Sequence, residues 1–252
     1  YSGIGSAAAR AASDALASSS AFDLVPLASG AMLVWGRPNG AGGGIQAVEG
    51  VDFEVREGEL VYARGLGVTD LKTPEAVSAD TRFKVGSLTQ QLTAIAILQL
   101  RDAGKLSLDD PAERYVPEMK AMRYATSDAP RITIRHLLSH SAGFPEDNPW
   151  GDQQLAATDA QLSAMIKSGI PFSNAPGTAY EYSNFGFAIL GRVVANVSGM
   201  PYPQYIRTKV LLPLGMTVTT LQARDVPPAR LAHGYRRQDE AWLEEPQLPD
   251  GS

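Results

Sequence analysis

Residues 83–94 read FKVGSLTQQLTA, and this stretch says more about the fold than any other part of the chain. Ser87 follows a glycine and precedes an apolar segment with little polar face, which is typical of a largely buried helix. Gly104 is suited to end that helix, because glycine tolerates the left-handed backbone of helix C-termini. The sequence therefore predicts a serine displayed at a helix N-terminus. Gln90 stands three residues later, one turn along the same face, so we expect its side chain to meet that of Ser87.

Strand patterns precede this helix. The segment GAMLVWG, residues 30–36, is predicted to form a buried strand. In residues 51–56, apolar and charged side chains alternate with the period of a half-buried strand, and residues 59–67 are predicted to return as its hairpin partner. The alanine-rich segment Ala7–Ala17 is predicted to be an N-terminal helix.

Helical patterns dominate the region after Gly104. Residues 132–144 predict a short helix closed by Gly143, and residues 179–199 predict a loop followed by a helix that ends at Gly199. In this last helix we expect one apolar stripe to face the core, formed by Phe187, Leu190, Val194 and Val197.

Composition excludes several classes of function. The 252 residues are 44% hydrophobic, which is enough for a substantial core, and 27 acidic against 22 basic residues give a net charge of −5. This acidic excess, without a basic run, argues against a nucleic-acid partner. The chain has no cysteine and only three histidines, so we expect neither disulfides nor a metal cofactor. Its apolar runs are shorter than the roughly 20 residues that span a bilayer.

Several stretches together resemble the serine hydrolases that comprise class C β-lactamases, DD-peptidases, penicillin-binding proteins and β-lactamase-like esterases. The resemblance covers about residues 59–217 and rests on motifs in the family's order and spacing. The motifs are ARGLGVTD (63–70), FKVGSLTQ (83–90), LRDAGKLSLDDPAERYVPE (100–118), ITIRHLLSHSAGF (132–144), PGTAYEYSNFGFAILG (176–191) and LLPLGM (211–216).

The resemblance implies roles for four residues. Ser87 matches the family's nucleophile, which attacks a carbonyl and forms an acyl-enzyme. Tyr182 and Asn184 match the family's Tyr-x-Asn motif, Tyr182 as general base or relay and Asn184 as a substrate-binding amide. Gln90 stands where the family has a lysine. The family's third motif, Lys-Thr-Gly or a variant, has no match here.

Gln90 is the departure that matters most for the chemistry. An amide side chain donates and accepts hydrogen bonds but does not titrate, so Gln90 can orient a neighbour but cannot carry its proton. Two interpretations stay open with equal weight: a natural or engineered inactivation, and activity in which Tyr182 works alone or with another residue. An ordinary surface glutamine is the least favoured interpretation.

Each site residue also has a simple structural interpretation. Ser87 would cap its helix, and Asn184 would cap the later one. The motif context favours the functional roles. His136 and His140, in RHLLSHSAG, are interpreted as structural residues that hydrogen-bond a turn beside the site.

The fold implied by the resemblance is α/β plus all-α, β-lactamase/transpeptidase-like, with an antiparallel sheet, flanking helices and a mainly helical region. We divide the chain into residues 1–86 with the N-terminal helix and first strands, 87–217 with the Ser87 and Tyr182–Ser183–Asn184 motifs, and 218–252, which return toward the α/β part. The sheet is expected to be incomplete in this chain, so that a second chain or protomer would complete it.

The predicted function is a serine hydrolase that acts through an acyl-enzyme on an ester, amide or β-lactam bond and is impaired by Gln90. The alternative is an inactive binding or scaffold protein that keeps the pocket. We expect a small-molecule or peptide acyl substrate, no nucleic-acid partner, no membrane span and no cofactor. A periplasmic or secreted location is expected, with the cytoplasm as the alternative.

Overall fold

The computed structural model describes residues 23–26, 32–35, 45–47, 51–56, 59–124, 126–147, 157–238 and 240–245. The predicted helix Ala7–Ala17 lies outside these residues. The chain divides into two compact units. One contains the described residues up to Lys84 and those from Arg224 onward, and the other contains the described residues of Val85–Ala223.

The strands of the first unit pair antiparallel in three groups. The groups are β1 (Asp23–Pro26) with β2 (Met32–Trp35), β4 (Val51–Arg56) with β5 (Glu59–Gly65), and β3 (Ile45–Ala47) with β6 (Gly234–Gln238) and β7 (Ala241–Glu244). The predicted hairpin of residues 51–56 and 59–67 is confirmed, with an irregularity between Glu54 and Val55. The predicted strand at residues 30–36 is confirmed over β2.

The helix predicted after Ser87 is present and begins in two steps. A 3-10 turn, Gly86–Leu88, runs directly into α1 (Thr89–Asp102). Gly86 has a φ of +49°, a backbone conformation that favours glycine. This residue begins the turn on which Ser87 lies. At the other end, Gly104 (φ +68°) donates to the Arg101 carbonyl and Lys105 donates to the Leu100 carbonyl. This pair of bonds satisfies carbonyls at the helix end, and confirms Gly104 as its stop.

The short helix predicted at residues 132–144 is only partly correct. Helix α2 covers Ile134–Leu138 and ends well before Gly143. The chain leaves the helix at His140, which has a positive φ of +52°. Gly143 (φ +85°) serves a later close contact, because a Cβ there would lie 2.2 Å from the Asn174 carbonyl oxygen.

The second predicted helix is confirmed, and so is its end at Gly199. Helix α4 (Asn184–Ser198) follows α3 (Asp159–Ser168), and Gly199 ends it in the left-handed region. The predicted apolar stripe is too narrow, because the fully buried positions of α4 include Ile189 and Val193, whereas Phe187 and Val197 are only partly buried. The helix packs against α1 and α2, and also against the short helix Tyr202–Tyr205, so neighbours cover it on several sides.

Helices α1, α2 and α4 contribute buried side chains to one hydrophobic cluster. A fully buried aliphatic side chain contributes about 1.5–3 kcal/mol, so burial of this cluster stabilises the packing of the three helices. Its members on α1, α2 and α4 are Ala96, Ile97, Leu100, Ile134, Leu137, Phe185, Ile189, Leu190, Val193 and Val194.

The remaining helix, α5 (Tyr202–Tyr205), continues as wider π turns through Ile206–Leu211 and a 3-10 turn, Leu212–Leu214. These turns pack against α1. Across the described ranges, no helix has both the length and the apolar character needed to cross a bilayer.

Candidate active site

Ser87 uses its hydroxyl for a tertiary contact. The side chain is exposed, and its Oγ lies 2.7 Å from the Tyr182 hydroxyl oxygen. The N-cap position of its 3-10 turn is Val85, and that turn has no side-chain capping bond. The simple interpretation of Ser87 as a helix cap is therefore wrong. The N–H groups of the next two residues are used within the turn, because Leu88 donates to the Val85 carbonyl at 3.1 Å and Thr89 donates to the Gly86 carbonyl.

Tyr182 and Asn184 lie at the start of α4, which packs beside α1. The Tyr182 hydroxyl is 3.1 Å from Asn184 Oδ1. The cap of α4 is Ser183, whose Oγ accepts a bond of 3.1 Å from the Gly186 N–H. The interpretation of Asn184 as the cap is therefore wrong, and its side-chain oxygen faces the Tyr182 hydroxyl instead.

Gln90 completes the group. Its Nε2 donates to the Tyr182 hydroxyl at 2.8 Å and to Asn184 Oδ1 at 3.2 Å. The i, i+3 spacing suggested a direct meeting of Gln90 with Ser87, but the two residues are linked through Tyr182. The structure thus brings the four residues proposed from the sequence into one hydrogen-bonded network.

Tyr182 is the group in this network that lies within reach of the Ser87 proton. The distance between the serine and tyrosine oxygens falls within the roughly 2.6–3.2 Å that a general base requires. The Tyr182 hydroxyl is placed to donate to Ser87 Oγ or to Asn184 Oδ1, so it would take the Ser87 proton only as the phenolate. Gln90 supplies two hydrogen bonds to this arrangement but no positive charge.

Asp147 hydrogen-bonds the segment that contains Asn184, and the sequence patterns did not predict this contact. Its buried carboxylate accepts hydrogen bonds from Asn184 N–H at 2.7 Å, Phe185 N–H at 2.8 Å and Ser183 Oγ at 2.9 Å. These bonds satisfy donors at the N-terminus of α4, where a negative charge is favourable. Asp147 lies 36 residues before Ser183 in a loop without periodicity, so no local signal indicates the contact.

His140 holds the same segment from another side. Its Nδ1 accepts a hydrogen bond of 3.1 Å from Ser183 N–H, and its ring packs against the rings of Tyr182 and Phe187 with centroid distances of 4.7 and 4.9 Å. Burial lowers the pKa of His140, and the nearby Asp147 carboxylate opposes that shift. A neutral imidazole that accepts at Nδ1 fits this environment, and the structural interpretation of His140 agrees with these contacts.

His136 also has a structural place. Its backbone N–H donates to Thr133 Oγ1 at 3.2 Å, and its Nδ1 accepts from Thr133 N–H at 3.3 Å. These two bonds form a capping box at the start of α2. His136 therefore stabilises the helix that precedes the His140 turn.

We expect the free energy of unfolding to fall as the pH drops from 7 to 5. Because burial lowers the pKa of His140 and His136, the unfolded chain takes up protons first, below its ordinary histidine pKa of about 6.5. Urea unfolding at pH 7, 6 and 5 measures the slope. His140→Asn removes one of the two titrating histidines and should flatten the slope. Asparagine is chosen because it tolerates the positive φ at this position. An unchanged slope in that variant would contradict the contribution of His140.

The chain matches the family described as Beta-lactamase over residues 48–252. Among curated proteins, penicillin-binding protein 4* of Bacillus subtilis (strain 168) is 26% identical over 181 residues, which cover 70% of this chain and 38% of that protein. The chain therefore spans well under half the length of that relative.

Solved structures give the same result for the fold. EstCE1, described as a hydrolase with promiscuous acyltransferase activity, aligns with a TM-score of 0.66 and 26% identity over 78% of this chain and 53% of that one. A class C beta-lactamase aligns with a TM-score of 0.63 and 27% identity over 80% and 53%. The predicted β-lactamase/transpeptidase-like fold is confirmed. With a family match that extends over more than half of its residues, the chain belongs to the beta-lactamase family.

Proposed function

We propose that this chain is part of a serine hydrolase in which Ser87 is acylated by an ester, amide or β-lactam. The observation that carries the proposal is the 2.7 Å contact between Ser87 Oγ and the Tyr182 hydroxyl, within a network that also holds Gln90 and Asn184. Membership of the beta-lactamase family supports hydrolase chemistry.

In the proposed reaction, Ser87 Oγ attacks the carbonyl carbon while its proton passes to Tyr182 in its ionised, phenolate form. The backbone N–H of Ser87 stabilises the negative oxygen of the tetrahedral intermediate. The bond to the leaving group then breaks, and that group departs with a proton from Tyr182. Water next attacks the acyl-serine ester and releases the acid, which regenerates Ser87. Asn184 is proposed to bind the substrate near its carbonyl.

The side chain at position 90 is proposed to determine how fast Ser87 is acylated. A lysine at this position could accept a proton when neutral and favour an ionised Tyr182 when charged. Glutamine provides only its two hydrogen bonds, so we infer a slow enzyme. The same observation favours a second candidate, a binding protein that holds an acyl compound without forming the covalent bond.

Labelling with an acylating probe tests the proposal. The chain is incubated with a fluorophosphonate or with a penicillin, its intact mass is measured, and the modified peptide is mapped. We expect one adduct, on Ser87, and none in Ser87→Ala. Saturable binding of a penicillin without a mass shift would support the binding protein instead. A stable adduct on another serine, with Ser87 unmodified, would overturn the assignment of the nucleophile.

The substrate and surroundings remain predictions. EstCE1 and penicillin-binding protein 4* make an activated ester and a penicillin reasonable first probes. The periplasmic or secreted location and the second chain or protomer that completes the sheet stay predictions. So do the three sequence segments, 1–86, 87–217 and 218–252.

A further inference from the structure

The side chains of the Tyr182–Ser183–Asn184 segment point in two directions, toward the buried interior and toward the network. Ser183 has an extended backbone, with φ −139° and ψ 115°, and in extended backbone successive side chains point in opposite directions. Ser183 is buried, whereas Tyr182 and Asn184 share the hydrogen-bonded network with Gln90. The group that holds Ser183 from its buried side therefore influences where the Tyr182 hydroxyl lies.

Asp147 is that group. The residue is only 5% exposed, and its two carboxylate oxygens accept different hydrogen bonds. Oδ1 accepts from Asn184 N–H, and Oδ2 accepts from both Ser183 Oγ and Phe185 N–H. Hydrogen bonds to an ionised carboxylate are roughly twice as strong as those between neutral groups. Three such bonds over three consecutive residues fix this stretch of chain closely.

We propose that Asp147 is a positioning residue for acyl transfer: its carboxylate keeps the Tyr182 hydroxyl within hydrogen-bond distance of Ser87 Oγ. This inference rests on the proposed function of Ser87. Asp147 acts through the backbone and Ser183 and takes no part in the bond-making step. A small displacement of a catalytic group costs rate because the reacting atoms must stay within about 3–3.5 Å of each other.

A purely stabilising role for Asp147 would look different. In that case its loss would lower the fraction of folded protein, and the remaining folded molecules would react at the original rate. A positioning role instead makes the effect of Asp147 depend on the presence of the Tyr182 hydroxyl. A double-mutant cycle separates the two roles, because residues that act through one another give non-additive effects.

The cycle uses Asp147→Asn, Tyr182→Phe and the double variant. The measured quantity is the rate of fluorophosphonate labelling at Ser87, normalised to the fraction of molecules that label at completion. Asparagine keeps the shape of aspartate but offers one acceptor oxygen, so some of the three bonds are lost. We expect labelling to slow about fivefold in Asp147→Asn, and less than about twofold further when the same change is made in Tyr182→Phe. Asp159→Asn, at the exposed start of α3, is the matched control and should label normally.

Amide hydrogen exchange gives a second readout that does not depend on activity. In Asp147→Asn we expect Asn184 and Phe185 to exchange faster, with Val193 and Val194 in the middle of α4 unchanged. Equal slowing of labelling in both Tyr182 backgrounds, or unchanged exchange at the start of α4, would overturn the positioning role alone. A wild-type chain that never labels at Ser87 would overturn the proposed function, and the positioning role with it.

Discussion

Replacing Tyr182 with phenylalanine is expected to slow acylation of Ser87 by about 10²-fold, the lower end of the range for general-base assistance. The change removes the hydroxyl that lies 2.7 Å from Ser87 Oγ, and with it the acceptor for one Gln90 bond. The ring can still pack against His140, so the local fold should persist. The lower end applies because Gln90 supplies no positive charge that would favour the phenolate form of Tyr182. Labelling rates of Ser87 with a fluorophosphonate measure the effect.

Tyr180→Phe is the matched control for this experiment. Tyr180 lies two residues earlier, is 68% exposed, and also contacts the His140 ring. Removing its hydroxyl makes the same chemical change next to the same segment, and labelling should stay within about twofold of the wild type. If Tyr182→Phe labelled as fast as Tyr180→Phe, Tyr182 would not be the base, and another group would have to accept the Ser87 proton.

Gln90→Lys is expected to accelerate acylation of Ser87 and ester turnover by at least about tenfold. In the structure, Gln90 Nε2 already reaches both the Tyr182 hydroxyl and Asn184 Oδ1, at 2.8 and 3.2 Å. A lysine amine at the same place has acceptors for its protons. In its neutral form it can take a proton, and in its charged form it favours an ionised Tyr182. Hydrolysis of a p-nitrophenyl acyl ester, followed by absorbance, measures the gain.

Gln91→Lys makes the same substitution one residue away. Gln91 is exposed, so the variant adds the same charge to the same helix without placing an amine in the network. We expect it to react like the wild type. If Gln90→Lys folds normally but shows no gain over Gln91→Lys, either another base serves Ser87 or the site does not perform acyl transfer.

The two open interpretations of Gln90 make different predictions in this experiment. An inactivated enzyme should gain the most from lysine, because the rest of its network is already in place. An enzyme that uses Tyr182 with glutamine should show measurable labelling before the change and a smaller gain after it. The ratio of the two rates, together with the wild-type rate, distinguishes them.

The two helices that carry the site could be predicted from local sequence patterns. Helix α1 and its stop at Gly104 follow from an apolar run and a glycine, and α4 with its stop at Gly199 follows from similar signals. Such features depend on residues close together in the chain, which is why local patterns suffice to predict them. The four network residues also came from the sequence, through motifs whose order and spacing resemble a known family.

The groups that hold the network in place could not be predicted without the three-dimensional structure. Asp147 and His140 bond to Ser183 from 36 and 43 residues away, and neither contact has a local pattern that indicates it. The structure also replaced the expected direct contact of Gln90 with Ser87 by a link through Tyr182. The physical reason is that buried polar groups must find hydrogen-bond partners, and the packing of α1 and α2 against α4 determines which distant groups lie within reach.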